Sequence, residues 1–124
     1  MPRDLVEFPE AIVQPQVPAP IDPVLATLIA ARKLIENERD WMRGAYCDGD
    51  RFCALGALRR AGNFRLQTEA NFSDAAYFLR RAIPHAWISS NPHLGVELHH
   101  FNDTVTHSAV VALFDKAIAA RRSA

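Results

Sequence analysis

A chain of 124 residues, 49% hydrophobic and 23% charged, suits one packed domain of ordinary globular composition. Formal net charge is zero, which disfavours a general nucleic-acid binder, and no apolar run approaches the ~18 residues of a membrane span. No basic segment followed by an apolar one opens the chain, so no secretory signal is read, and two cysteines without one predict free thiols in a cytoplasmic protein.

The balanced charge conceals an asymmetry. Residues 1–50 carry nine acids against five Lys/Arg, and residues 51–124 carry five against nine, so the two halves can attract each other or present opposite faces to a partner. Twelve of the fourteen basic residues are arginine, which favours planar, bidentate pairing over loose solvation.

Residues 1–21 hold prolines at 2, 9, 15, 18 and 20. Proline removes backbone donors and pushes its preceding neighbour toward extended conformations, so this segment reads as an extended arm in front of a helical domain over residues 22–124. The arm carries Leu5, Val6, Phe8, Ile12, Val13 and Val17, together with Asp4, Glu7 and Glu10 against Arg3. A solvated linker has no use for those apolar side chains. Leu5, Phe8, Ile12 and Val13 are therefore read as partner-binding.

Asp22-Pro23 predicts a helix start, with Asp as N-cap and Pro at the first helical position. Val24, Leu25, Leu28, Ile29, Ala31, Leu34 and Ile35 form a broad apolar stripe that should end near Glu38. Trp41 follows as a core anchor, with Gly44 permitting close approach. Asp48-Gly49 predicts a hairpin turn with arms over residues 43–47 and 50–53. Residues 53–61 read as a short helix with Leu55 and Leu58 inward and Gly62-Asn63 as its stop. Residues 68–83 form the cleanest amphipathic segment, through Phe72, Ala75, Ala76, Leu79, Ala82 and Ile83, and Pro84 ends it. A loop carrying Trp87 over residues 85–90 is expected next, then a short helix capped by Asn91-Pro92 and running to Phe101. Asn102-Asp103-Thr104 reads as a turn, and Thr106 as the cap of a last helix with Val110, Leu113, Phe114, Ala117 and Ile118 inward. The fold expected is mainly α: four or five helices with one small β-hairpin near 43–53.

Cys53 stands where a turn becomes a helix, and helix N-termini favour the thiolate. With His85, His99, His100 or His107 as base and Asn102 or Asp103 as orienter, a Cys–His–Asx nucleophilic site can be drawn, for which Cys53, His99, His100 and Asp103 are the candidates. The plainer reading makes Cys53 a small buried hydrophobe in F-C-A-L-G-A-L, and it is preferred. His99 and His100 are adjacent on a helix and so point about 100° apart, one inward and one outward. Cys47 and Cys53 are separated by five residues, outside the usual zinc spacing, so no metal and no other cofactor is expected. Three arginine pairs, Arg59-Arg60, Arg80-Arg81 and Arg121-Arg122, each fall in the last turn of a predicted helix, where cations complement the macrodipole. Arg59, Arg60, Arg80 and Arg81 also offer an anionic partner a surface, and the acidic arm of this chain or of a neighbour is one such partner.

The segments W-M-R-G-A-Y (41–46), F-C-A-L-G-A-L-R-R-A (52–61), F-N-D (101–103) and V-V-A-L-F-D-K-A-I (110–118) stand in that order. This resembles a family of small bacterial and phage proteins known only as a domain of unknown function, in which W-x-x-G, C-A-L-G-A and N-D recur before a terminal helix. The resemblance spans roughly residues 25–120, leaves out the arm, and implies a mainly helical domain without an assigned activity.

These readings together predict a non-enzymatic interaction or accessory module of bacterial or phage origin, binding a protein partner or itself through the arm and an arginine-rich face. A small cysteine-dependent hydrolase or transferase using Cys53 and a histidine is the first alternative. Nucleic-acid association through the arginine pairs is the second. No membrane partner is expected.

Overall fold

The computed structural model describes residues 22–64 and 69–124, apart from the side chains of Asn63, Phe64 and Glu69. The arm read over residues 1–21, with Leu5, Phe8, Ile12 and Val13, lies outside them.

Helix α1 spans Pro23–Leu34 and begins as the sequence predicts, with Asp22 Oδ1 accepting from the Val24 N–H at 3.0 Å. Val24, Thr27, Leu28 and Ala31 form its buried face, and Thr27 meets its own need for a partner by donating to Pro23 O at 2.8 Å. Two expectations change. Ile29, placed in the stripe, is 41% exposed. The helix also stops at Leu34 rather than near Glu38, because Ile35 leaves helical geometry to enter the core, where it is fully buried. A single 3₁₀ turn, Glu38–Asp40, then delivers Trp41 into the core.

The hairpin is present but shorter than read. Strands β1 (Cys47–Asp48) and β2 (Arg51–Phe52) pair antiparallel, Cys47 opposite Phe52 and Asp48 opposite Arg51. The loop is therefore Gly49-Asp50, one residue later than expected, with Gly49 supplying the positive φ of 65°. Beyond the strands one bond to Tyr46 continues the register, and Phe52 O is taken by Met42, so residues 43–45 do not extend the ladder. Met42 N donates to Phe52 O at 3.0 Å, and Cys53 N donates to Tyr46 O at 3.1 Å. Gly44, φ 86°, turns the chain between those two bonds. An added Cβ there would meet open space, so its glycine serves conformation and not the close approach expected of it.

Helix α2 spans Ala54–Phe64. Gly62-Asn63 does not stop it. Ala57, Leu58, Ala61 and Gly62 are buried, and that packing outweighs the ~1 kcal/mol a mid-helix glycine costs. Arg59 and Arg60 consequently sit in mid-helix, so the macrodipole argument does not account for them. Helix α3, Glu69–Ala82, matches its reading, with Ala75, Ala76, Leu79 and Ala82 buried.

Helix α4, His85–Ser90, replaces the expected loop. Trp87 and Ile88 draw it onto the core, and Pro84 O accepts from both of their N–H groups at 3.1 and 3.2 Å. Turns occupy residues 91–97, so Asn91-Pro92 caps no helix. Helix α5 is Leu98–Thr104 and contains the Asn102-Asp103-Thr104 stretch read as a turn. Helix α6, His107–Ser123, carries the Thr106 cap and buries all five predicted residues, Val110, Leu113, Phe114, Ala117 and Ile118.

α1 packs against α2, α3 and α6, while α5 sits across α2 and α3. Phe114, Leu28, Leu58 and Leu79 are the large side chains at the centre, each fully buried. The fold is mainly α with one small hairpin, as expected, and α4 raises the helix count to six among the described residues. No described helix is long and apolar enough to cross a membrane.

Candidate functional site

The hairpin, the start of α2 and the end of α5 meet at Asn102. This side chain is fully buried, and all four of its hydrogen-bonding positions are used. Oδ1 accepts from Trp41 Nε1 at 2.7 Å and from the Ala54 N–H at 3.0 Å. Nδ2 donates to Met42 O at 3.0 Å and to Asp103 Oδ1 at 3.1 Å. Asn102 thus satisfies one of the open donors at the start of α2 from forty-eight residues away, instead of capping the helix that follows it. Asp103 Oδ1 also accepts from the Gly44 N–H at 3.0 Å and pins the loop before the hairpin. Arg43 lies over Trp41, 5.1 Å from the ring, and donates to Val105 O. Gly56 is a spacing requirement, because a Cβ there would lie 1.9 Å from Tyr46 O.

Beside this cluster lies a cleft of about 230 Å³ lined by Gly44, Ala45, Tyr46, Cys53, His99 and Asp103. The structure therefore brings together three of the four candidates for a nucleophilic site, Cys53, His99 and Asp103. His100 does not line the cleft; its ring stacks at 4.2 Å on that of His99. Both histidines are half-buried, so the inward–outward split expected of them is absent. Tilting of the rings toward each other overrides the backbone offset. His107, another proposed base, uses Nε2 to donate to Ile35 O at 2.6 Å, since a carbonyl can only accept.

The thiol itself is set for structure. Cys53 is 2% exposed, and its Sγ accepts from the Gly56 N–H at 3.3 Å, so it acts as the side-chain cap of α2. Burial pushes its pKa above the ordinary thiol value, the Asp103 carboxylate raises it further, and the N–H groups of the helix start oppose them without prevailing. The helix-terminus activation drawn from sequence is outweighed by desolvation. Both cysteines are free, Cys47 exposed and Cys53 buried. Among the described residues no three His, Cys, Asp or Glu side chains are grouped to hold a metal ion.

The arginine pairs separate. Arg59 lies over Phe72 at 4.8 Å and Tyr46 at 6.0 Å, and with Arg60 it lines a groove under the hairpin. Arg121 grips Asp22 with both nitrogens of its fork, Nε to Oδ2 at 2.7 Å and NH2 to Oδ1 at 3.1 Å, and lies 5.2 Å over Phe78. That contact ties the start of α1 to the end of α6. Arg80 and Arg81 face a different region. Tyr77, Arg80, Arg81, Ile83, Ile88 and Val96 line a groove of about 290 Å³. Arg81 is shared with a second hollow of about 340 Å³, whose other walls are Phe78, Ala82, Lys116, Ala120 and Ala124. The two hollows share Arg81 and are taken together as a band along α3; Arg81 donates to the Tyr77 hydroxyl at 2.8 Å and lies 5.5 Å over its ring. Tyr77 and Val96 are 46% and 45% exposed on it.

The sequence profile of a family described as a family of unknown function (DUF6197) matches residues 19–120. The chain belongs to the DUF6197 family. Searches of curated proteins and of solved structures find no match. The three short motifs that carried the resemblance, W-x-x-G, C-A-L-G-A and N-D, are the segments that meet in the Asn102 cluster. In this DUF6197 domain they form the clasp between hairpin and helices: Trp41 and Ala54 donate to Asn102, Gly44 to Asp103, and Gly56 to Cys53. Sequence reasoning missed Asn102 as its centre. The available signal was the Asn of the N-D motif standing in the same pattern as the Trp of W-x-x-G, whose indole N–H needs a buried acceptor.

Proposed function

We propose that this DUF6197 protein is a non-enzymatic interaction module that binds an acidic, apolar peptide segment along the α3 band. The supporting observation is the band itself, where exposed Tyr77 and Val96 and buried Ile83 share a groove with Arg80 and Arg81, and Lys116 lines the adjoining hollow. Exposed apolar side chains framed by guanidinium groups suit a ligand that alternates carboxylates with hydrophobes. A bacterial or phage origin and a cytoplasmic setting accord with the motif resemblance and the free thiols. Selection of binders from a random dodecamer peptide library on residues 22–124 tests the reading. Enrichment of acidic–apolar sequences that is lost in the Arg80→Glu/Arg81→Glu double variant is the expected result. Enrichment of unrelated sequences, or of the same ones by that variant, rejects it.

The cysteine-dependent enzyme ranks second, favoured by the convergence of Cys53, His99 and Asp103 on one cleft. It ranks below because the thiol is buried and that burial pushes its pKa up, away from the thiolate. Iodoacetamide at neutral pH discriminates: one equivalent on Cys47 in the native protein, and a second only after unfolding, rules the enzyme out.

A further inference from the structure

We propose that the α3 band is occupied by the chain's own arm, residues 1–21, docked in cis. The inference rests on the reading of the band given above and names its occupant. The first argument is position. The arm joins the fold at Asp22, and the guanidinium that holds Asp22 lies over Phe78, which is a wall of the band. Asp22, the residue from which the arm starts, is thus linked through Arg121 to a wall of the band. The second is chemistry. The arm interleaves Asp4, Glu7 and Glu10 with Leu5, Val6, Phe8, Ile12 and Val13, while the band offers Arg80 and Arg81 beside Tyr77 and Ile83 in one hollow and Arg81 and Lys116 beside Phe78 in the other. The third is reach. Twenty-one extended residues span up to ~70 Å, against ~21 Å for the fourteen residues of α3. Five prolines also lower the conformational entropy lost on docking. Tethering completes the case: covalent attachment at Asp22 gives an effective concentration on the order of 1 mM, so even modest intrinsic affinity keeps the band filled.

The test uses a fluorescent synthetic peptide of residues 1–21 against the full chain and against residues 22–124, each checked for cooperative thermal unfolding. Binding to residues 22–124 with a Kd below about 100 µM is expected, and at least tenfold weaker binding to the full chain, whose band is already filled. Reversing the peptide's three acids to lysine should abolish binding without any risk to folding. Arg80→Glu/Arg81→Glu in the body should weaken it at least tenfold. Three results overturn the proposal: no binding to residues 22–124, equal binding to both proteins, or a full-length dimer that truncation converts to monomer, which would mean exchanged arms. If the library yields acidic–apolar binders while the arm peptide does not bind, cis docking falls and the interaction reading stands.

Discussion

Asn102 shows how one side chain can join three elements. Removing it strands the Trp41 indole N–H, the Ala54 N–H and the Met42 carbonyl in a buried place, and each unsatisfied buried group costs ~1–3 kcal/mol. Asn102→Ala should therefore destabilise the domain by about 3 kcal/mol or more in urea unfolding. A loss below about 1 kcal/mol would mean that water replaces the amide readily. Asn102→Asp is nearly isosteric, yet it puts an acceptor against Met42 O and Asp103 Oδ1. It should cost at least as much as the alanine near pH 7, and part of the loss should return at pH 4, where protonation restores a donor. Gly56 makes a complementary point about space. With Tyr46 O at 1.9 Å from any added Cβ, Gly56→Ala must push the hairpin off α2, an overpacking cost of about 1–3 kcal/mol seen as a lowered Tm. A neutral Gly56→Ala would show that the hairpin is only loosely seated.

At the scale of elements, the closure between the start of α1 and the end of α6 depends on a titratable group. The hydrogen bond from Arg121, opposed by some desolvation, lowers the Asp22 pKa below its usual value. The helix-start N–H of Val24 lowers it as well. A group whose folded pKa lies below its unfolded one contributes stability that is present above the unfolded pKa and is lost as pH falls through the folded one. Asp22→Asn should thus lower Tm at pH 7, and the difference from wild type should shrink as pH falls below about 4. A difference that stays constant down to pH 2 would show that the pair carries no pH-linked stability. The element readings also show what periodicity can and cannot report. α3 and α6 were legible because their apolar spacing, their stop at Pro84 and their cap at Thr106 agree. α4 was not, because six residues hold too few turns to show a period, and only Trp87 and Ile88 packing on the core makes them helical. Gly62-Asn63 misled for the opposite reason: a local stop signal was overridden by the burial of Ala57, Leu58, Ala61 and Gly62.

At the scale of the whole molecule, the core closes around Phe114 and Leu28, both fully buried where α1 meets α6. Phe114→Ala leaves a cavity at that centre and should cost about 3–5 kcal/mol, enough to unfold a marginal domain at 37 °C. A variant keeping cooperative unfolding with less than 1 kcal/mol lost would place the core elsewhere. Charge is also arranged at this scale. The three arginine pairs looked equivalent along the chain, but the fold commits Arg121 to Asp22, Arg59 to Phe72 and Arg81 to Tyr77, and puts Arg80 and Arg81 beside an apolar band. The clasp shows the same sorting: the motif that collects Cys53, Asn102 and Asp103 holds the domain together, and the band proposed for binding lies on α3.

The sequence by itself determined the helical class, the caps at Asp22 and Thr106, the inward faces of α3 and α6, the hairpin near Gly49 and the burial of Cys53. Each is a local pattern whose physical cause lies within a few residues: a period, a cap or a positive φ. Only the tertiary structure decided the rest. That Asn102 caps α2, that Cys53 and His99 share a cleft, and that one arginine pair frames an apolar band all depend on which segments become neighbours. Those neighbours are set by burial of the core as a whole, so no local pattern carries them.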